Sequence, residues 1–240
     1  MSAAPLLATR GLTMRFGGVV AVSDVDFTVH EGELRCLIGP NGAGKSTFFK
    51  CLTGLLRPTA GDILFRGRSL AGMGTHAIAR LGVGIKTQVP SVFDGLTVRE
   101  NVWLALRRVH GDDVVRRQLP GLLDKIGIGA LADRLVGQLA HGQRQLVELA
   151  MVVAGEPDLI LLDEPAAGMT DEEVDRLVAL IKELSVRHAL VVVEHDMQFI
   201  RRIATTVTVF HQGSILVEDR VDRILVDQRV RDVYLGKRAA

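Results

Sequence analysis

The sequence is poor in cysteine, aromatic residues and long apolar runs. Its 240 residues include two cysteines, one tryptophan and one tyrosine. Cys36 and Cys51 show no Cys-x-x-Cys spacing, which excludes a disulfide framework and predicts reduced core residues. The aliphatic runs, such as Leu159–Leu162 and Ala189–Val193, are far shorter than the ~18 residues that cross a bilayer. Because Met1–Leu12 has no targeting pattern, we predict a cytosolic chain.

The chain also lacks an excess of charge of either sign. Lysine and arginine number 29 against 28 aspartates and glutamates, which gives a net charge of +1. This balance excludes a generalised nucleic-acid or anionic-membrane binder, so a charged partner must meet a local site. With 48% apolar residues and about 150 residues in a usual domain, we predict one large globular domain or two small ones.

Short apolar runs predict an α/β fold. Alternation in Leu6–Phe16 and Val25–Val29 predicts β-strands at the start of the chain. Aliphatic runs separated by segments of helical period are typical of buried parallel strands with crossover helices. These runs are Leu34–Ile38, Leu159–Leu162, Leu190–Val193 and Thr206–Phe210. Thr97–Gly155 is predicted to be helical almost throughout, with Leu104 among its periodic apolar residues.

A glycine-rich loop follows the first of these runs. Gly39–Thr47 has the pattern G-x-x-x-x-G-K-[ST] between a predicted strand and a predicted helix, the context that confirms a phosphate-binding loop. Its glycines let backbone N–H groups turn toward phosphate oxygens. We expect Lys45 to reach the β- and γ-phosphates, Ser46 to bind Mg²⁺ and Thr47 to contact the α-phosphate. The predicted nucleotide-binding residues of the loop are Gly39, Pro40, Asn41, Gly42, Ala43, Gly44, Lys45, Ser46 and Thr47.

Two adjacent carboxylates end the second buried run. Because side chains alternate along a strand, Asp163 and Glu164 are expected to point to opposite sides and to take different roles. Asp163 is predicted to hold Mg²⁺ and its waters, and Glu164 to polarise an attacking water. Carboxylates at a strand end are often helix N-caps, so the pair alone is weak evidence for a catalytic site. Together with the phosphate-binding loop it becomes strong evidence.

Five segments come in the order and spacing of the ATP-binding-cassette (ABC) transporter ATPase subunits, which the chain resembles over essentially its whole length. They are Gly39–Thr47, the Gln88 loop, Leu139–Gln143, Leu159–Pro165 and Glu194–His195. The resemblance implies a P-loop ATPase core with a parallel sheet, an N-terminal antiparallel β subdomain and an all-helical insertion. It also implies ATP and Mg²⁺ as ligands, and ATP hydrolysis coupled to transport across a membrane.

The resemblance assigns roles to three residues outside the loop. Phe16 would stack on adenine, the alternative being a β-strand core residue. Gln88 would touch Mg²⁺ or the attacking water and link the α/β core to the helical insertion. His195 would hydrogen-bond the γ-phosphate, although a lone histidine is more often a surface or core residue.

The signature segment of the family opens a helix aimed at the ATP of a second subunit. Its residues here are Ala140, His141, Gly142 and Gln143. Ala140 replaces the usual serine, which removes a phosphate hydrogen bond worth about 1.5–3 kcal/mol and an N-cap hydroxyl, and His141 replaces the usual glycine. Many members also carry an aspartate that crosses the dimer interface, and Thr170 and Asp171 are both candidates for that position.

Finer features resemble subunits of branched-chain amino acid and urea importers, and Gly168–Glu173 with His211–Gly213 favour the urea-type branch. Val233–Gly236 also resembles these subunits. The partners implied are a second ATP-binding subunit, transmembrane permease subunits and, indirectly, a solute-binding protein, with the chain peripheral at the cytoplasmic face of the inner membrane. The loop Val89–Phe93 would contact a short permease helix through Val92 and Phe93, unless Phe93 packs inside the helical insertion.

We predict a single ABC nucleotide-binding domain over residues 1–240. Residues 1–88 and 156–240 would form the α/β core with its β subdomain, and residues 89–155 the helical subdomain. No appended regulatory domain is expected. One rival is a soluble ABC-type ATPase of DNA repair or translation, which would need a long coiled coil or a second cassette. Another is a small-molecule phosphotransferase, which has no use for Leu139–Gln143.

Overall fold

The computed structural model describes residues 4–235. The strands are β1 (Leu7–Phe16), β2 (Val19–Val29), β3 (Leu34–Ile38), β4 (Ala60–Phe65), β5 (Arg68–Ser69), β6 (Val83–Lys86), β7 (Leu159–Asp163), β8 (Ala189–Val193), β9 (Thr206–His211) and β10 (Ser214–Arg220). The helices are α1 (Lys45–Leu52), α2 (Thr75–Arg80), α3 (Val98–Arg107), α4 (Asp112–Ile126), α5 (His141–Val153), α6 (Asp171–Leu184), α7 (Met197–Ile203), α8 (Val221–Ile224) and α9 (Gln228–Leu235).

The first sheet is antiparallel and has the strand order β2-β1-β4-β5. In β2 the residues Val25, Phe27 and Val29 are buried and their neighbours are not, as expected for strands with one face on the core. This sheet confirms the predicted antiparallel β subdomain.

The second sheet has the order β10-β9-β3-β8-β7-β6. Strands β6, β7, β8, β3 and β9 run parallel, and β10 is antiparallel to β9 at one edge. Every residue of β3, β7 and β8 is buried, as expected when a parallel sheet is covered on both faces. The four predicted runs are therefore confirmed as β3, β7, β8 and β9, and the parallel-sheet fold class is confirmed with them.

Three neighbouring strands of this sheet end at one edge. The strands β3, β8 and β7 lie side by side and end at Ile38, Val193 and Asp163. Because the carboxyl ends of parallel strands share one edge of a sheet, the segments that follow them meet there. The fold thus brings together the phosphate-binding loop, Glu164 and His195.

The helical part between β6 and β7 consists of α3, α4 and α5, and it is less continuous than predicted. Gly127, in the left-handed conformation at φ 79°, ends α4, and two short 3₁₀ turns, Gly129–Leu131 and Val136–Gln138, precede α5. The prediction of helix almost throughout is wrong for 127–140, because glycines interrupt that stretch. Leu104 is exposed, so the prediction that it belongs to the periodic apolar face of the helical segment was also wrong.

Two further predictions are tested by burial and length. Cys36 and Cys51 are free and buried, which confirms them as reduced core residues. Among residues 4–235, none of the helices is long and apolar enough to cross a membrane. Gly236, the last residue of the Val233–Gly236 segment, lies outside the described residues.

Candidate functional site: the phosphate-binding loop and the adjoining sheet edge

The conformation of the phosphate-binding loop requires glycine at two positions. Gly39 has φ +151°, and a Cβ there would lie 2.3 Å from the Phe210 carbonyl oxygen. Gly44 has φ +101°, and a Cβ there would lie 2.4 Å from the Ala21 carbonyl oxygen. Both distances are too short for any side chain, so the loop packs directly on neighbouring backbone.

Lys45 lies across the loop that it belongs to. Its Nζ donates hydrogen bonds to the carbonyl oxygens of Gly39 at 2.6 Å and Pro40 at 3.1 Å. Burial lowers the pKa of Lys45, and the charges of Glu164 and Asp163 oppose this. The ammonium is therefore held at the loop where an arriving phosphate would replace carbonyl oxygens as acceptor.

The other loop residues differ in exposure. Ser46 is exposed and Thr47 is half-buried in the first turn of α1, as a contact to a ligand requires. Asn41 and Gly42 are exposed at the tip of the loop. Ala43 is buried in the core, so its methyl group holds the loop in place and only its backbone is available to a phosphate.

Asp163 and Glu164 are separated by a change of backbone conformation. Asp163 is the last residue of β7, and Glu164, just beyond it, has φ +45°. Such a left-handed conformation is strained for a residue with a side chain and often occurs at functional sites. The left-handed backbone at Glu164, and not strand alternation as predicted, therefore separates the directions of the two side chains. Burial and the adjacent Glu164 raise the pKa of Asp163 to about 6.

Glu164 is the centre of a three-residue cluster. Gln88 Nε2 donates a hydrogen bond of 2.8 Å to Glu164 Oε2. On the other side, His195 Nδ1 lies 3.5 Å from Glu164 Oε1, and 61% of the His195 side chain is exposed. The structure thus brings together the three residues that the sequence suggested for catalysis, although they come from three separate loops.

Glu194 is a polar residue of this edge whose role the sequence did not reveal. It is buried, and its Oε2 accepts hydrogen bonds from the backbone N–H groups of His195 at 3.0 Å and Asp196 at 3.4 Å. Burial raises the pKa of Glu194, and these hydrogen bonds oppose the shift. Its carboxylate therefore fixes the turn that presents His195.

Phe16 ends β1, and 47% of its surface is exposed. This contradicts the alternative of a core phenylalanine. The ring is free to contact a planar ligand, so the stacking of Phe16 on adenine stays a prediction.

The signature segment begins α5 without a side-chain cap. Ala140 is the N-cap residue, and its backbone N–H donates to Gln143 Oε1 at 3.2 Å. His141 is exposed, and Gly142 is buried in the first turn. Among residues 4–235, no hydrogen bond joins this turn to the phosphate-binding loop.

Thr170 and Asp171 have different surroundings at the start of α6. The Thr170 hydroxyl accepts from the backbone N–H of Glu173 and caps the helix. Asp171 is exposed in the first turn. That one of these two residues meets a partner subunit stays a prediction.

Comparisons with known proteins agree with this geometry. A family model described as ABC transporter matches residues 22–167. The high-affinity branched-chain amino acid transport ATP-binding protein LivG of Salmonella typhimurium strain LT2 is 37% identical, over 97% of this chain and 98% of LivG. The chain belongs to the ABC transporter family. BraF of Pseudomonas aeruginosa, which carries the same description, is 36% identical over 97% of this chain and 98% of BraF.

The fold is also similar to that of solved ATP-binding cassettes. The ATP-binding cassette MJ1267 in its ADP conformation superposes with a TM-score of 0.87 and 24% identity, over 98% of this chain and 100% of that one. The chain is an ABC ATPase that hydrolyses ATP in a transport process. The predicted enzyme class is confirmed.

The departure at Ala140 gives the first prediction. Ala140→Ser places a hydroxyl at the N-cap of α5, where the ABC family usually has serine. If the hydroxyl contributes a hydrogen bond to a partner's phosphate, ATP-dependent dimerisation should strengthen by no more than about 3 kcal/mol. Analytical ultracentrifugation with a matched Ala140→Gly control measures this. Unchanged or weaker dimerisation would mean that backbone N–H groups already satisfy the phosphate.

Proposed function

We propose that this chain is the ATP-hydrolysing subunit of an importer for branched-chain amino acids. The proposed ATP hydrolysis is supported by the cluster of Gln88, Glu164 and His195 beside the phosphate-binding loop. The near-full-length similarity to LivG and BraF supports the substrate. Gly168–Glu173 and His211–Gly213 favoured urea importers, and two short segments weigh less than similarity over the whole chain.

The residues around the loop fit a Mg²⁺ ion that arrives with a nucleotide. Among residues 4–235, no group of three or more histidine, cysteine or acidic side chains could hold a metal on its own. Mg²⁺ in nucleotide enzymes usually takes one or two protein ligands and completes its shell with phosphates and water. Ser46, Asp163 and Gln88 would supply oxygen ligands. Mg²⁺ bound there would neutralise charge on the β- and γ-phosphates.

In the proposed mechanism the residues around the phosphate-binding loop act on the nucleotide and on the attacking water. Lys45 transfers its hydrogen bonds from the loop carbonyls to the β- and γ-phosphates. Glu164 accepts a proton from the attacking water, and Gln88 orients the Glu164 carboxylate through the 2.8 Å hydrogen bond. His195 donates a hydrogen bond to the γ-phosphate from its exposed position.

A second subunit completes the nucleotide site in this proposal. The N-terminus of α5 carries the positive end of a helix dipole, which stabilises a phosphate in front of it. Because no hydrogen bond among residues 4–235 joins Ala140–Gln143 to the loop of its own chain, we infer that it faces the ATP bound by a partner cassette. Two loops and two signature helices would then pair head to tail.

The permease contact is proposed for a groove beside the Gln88 loop. The groove has a volume of about 480 Å³, and Phe93, Leu104, Arg108 and Met151 are among its lining residues. Phe93 is 55% exposed, which contradicts the alternative that it packs inside the helical part. Val92 packs against the core, so of the two predicted contact residues Phe93 is the one available. A permease helix there would hold the chain at the cytoplasmic face of the membrane, with a solute-binding protein on the other side.

Phe93→Ser tests this contact. We expect a folded subunit with near-normal basal ATP hydrolysis that no longer assembles with its permease, because an exposed apolar side chain contributes more to an interface than to the fold. Thermal unfolding and co-purification on one preparation measure both properties, with Val186→Ser, an exposed residue beyond α6, as control. A large drop in melting temperature would show that Phe93 supports the core instead.

Co-purification also tests the function as a whole. A tagged chain isolated from detergent-solubilised membranes should bring two hydrophobic permease subunits with it. Recovery with ribosomes or DNA, and no membrane protein, would favour a soluble ABC-type ATPase and contradict the proposal.

A further inference from the structure

The loop that carries Gln88 is attached to α5 at two points, at Gln88 itself and at Ser91. Gln145 Nε2 donates a hydrogen bond of 3.2 Å to the Gln88 carbonyl oxygen. Three residues further along the loop, the backbone N–H of Ser91 donates to Glu148 Oε1 at 3.0 Å. Gln145 and Glu148 are three residues apart, so they lie on the same face of the helix.

Both attaching side chains are buried, which is unusual for their type. Gln145 is 0% exposed and Glu148 is 3% exposed. Burying a polar or charged group costs free energy unless it is paired. Lys86, the fully buried last residue of β6, supplies the opposite charge, with Nζ 3.9 Å from Glu148 Oε2. Packing alone would favour apolar residues at all three positions, so their polarity requires another reason.

The orientation of the Gln145 amide follows from its neighbours. The Gln88 carbonyl oxygen can only accept, so the NH₂ group of Gln145 must face it. The same nitrogen lies 3.0 Å from His141 Nε2, which then accepts its second hydrogen. One amide group therefore joins the first residue of α5 to the main chain of Gln88.

We propose that Gln145 and Glu148 are positioning residues that hold the Gln88 loop so that the Gln88 amide reaches Glu164. The two hydrogen bonds between α5 and the loop fix the loop backbone. This places Gln88 Nε2 at 2.8 Å from Glu164 Oε2. Since His141 belongs to the signature segment, a displacement of α5 on contact with a partner's nucleotide would move Gln88 as well. The inference rests on the proposed function only for the role of Gln88 in hydrolysis.

Gln145→Met tests the first attachment. Methionine has a similar length and suits a buried site, but it cannot donate a hydrogen bond to Gln88. We expect an unchanged or higher melting temperature, an ATP dissociation constant within about twofold of wild type, and a kcat at least about tenfold lower because Gln88 is misplaced. A lower melting temperature with unchanged kcat would show a purely structural role and overturn the proposal for Gln145.

A pair of double variants tests the second attachment. Lys86→Met with Glu148→Gln, and Lys86→Met with Glu148→Leu, both remove the two charges. Only the first keeps an acceptor for the Ser91 N–H. We expect the glutamine version to hydrolyse ATP at least about tenfold faster than the leucine version, and the Ser91 amide to exchange its hydrogen faster in the leucine version. Equal kcat and equal exchange would overturn the role of Glu148.

Gln88→Ala separates this inference from the proposed function. If Gln88→Ala leaves kcat unchanged, the catalytic role of Gln88 is wrong. The attachment is then decided by hydrogen exchange in residues 87–91, which should accelerate in Gln145→Met and in the leucine version. Unchanged exchange in both would overturn the attachment itself.

Discussion

Glu164→Gln is expected to lower ATP hydrolysis at least about 100-fold while Mg-ATP still binds. Glutamine keeps the shape of the side chain and can still accept the hydrogen bond from Gln88 Nε2. It cannot take a proton from water at neutral pH, so the step that consumes ATP stops. The dimer bound to ATP should then accumulate, because its dissociation follows hydrolysis in the proposed mechanism.

Phosphate release, nucleotide binding and size-exclusion chromatography measure the three consequences of Glu164→Gln. Glu183→Gln provides a matched control, since Glu183 lies on α6 in an exposed ion pair with Lys125. This control should behave as wild type. Normal turnover by Glu164→Gln would remove Glu164 from the role of general base.

Lys45→Met should raise the dissociation constant for ATP at least about 100-fold, since charge-assisted hydrogen bonds to a phosphate each contribute about 1.5–3 kcal/mol. Lys45 makes two hydrogen bonds to loop carbonyls, so its ammonium already lies where phosphate oxygens would bind. Isothermal titration calorimetry with ATP measures the change.

Lys50→Met is the control for Lys45→Met, because Lys50 is an exposed lysine of the same helix α1. We expect its effect to be several-fold at most. A similar loss in both variants would mean that the general positive charge of α1, and not a direct contact from Lys45, attracts the nucleotide.

The sheet and the site residues at its edge could be predicted from the sequence for physical reasons. Strands buried on both faces are continuous aliphatic runs, so β3, β7 and β8 stand out without any knowledge of the fold. The loop Gly39–Thr47 has a steric and electrostatic requirement that few sequences meet by chance. Placing Gln88 and His195 beside Glu164 needed the family resemblance, because they are distant in the chain and carry no local signal.

Other elements could not be predicted because their local signal is weak or misleading. Strand β6 has only four residues and contains Gly84, so it lacks the aliphatic run that marks its neighbours. In 127–140 the buried residues Ile128, Val136 and Leu139 follow a spacing that resembles a helix, but two short 3₁₀ turns form there instead. Burial there is set by packing against α3 and α4, which a local pattern does not contain.

The attachment of the Gln88 loop was hidden for a different reason. A glutamine and a glutamate on an amphipathic helix normally predict a solvent-facing side, and Gln145 and Glu148 are both buried. Only the tertiary structure shows that the loop backbone pairs with both side chains and that Lys86 faces Glu148. The cap at Thr170 was detectable, because Thr170 and Glu173 form the Ser/Thr-x-x-Glu pattern of a capping box.

Uptake by reconstituted vesicles tests the proposed function most directly. The chain, assembled with its co-purifying permease subunits and solute-binding protein in proteoliposomes, should accumulate radiolabelled leucine when Mg-ATP is supplied on the side of this subunit. The same vesicles with Glu164→Gln should accumulate none, and radiolabelled urea should not enter. ATP-dependent uptake of urea without leucine would contradict the substrate, and leucine uptake that persists with Glu164→Gln would contradict the claim that hydrolysis by this chain drives import.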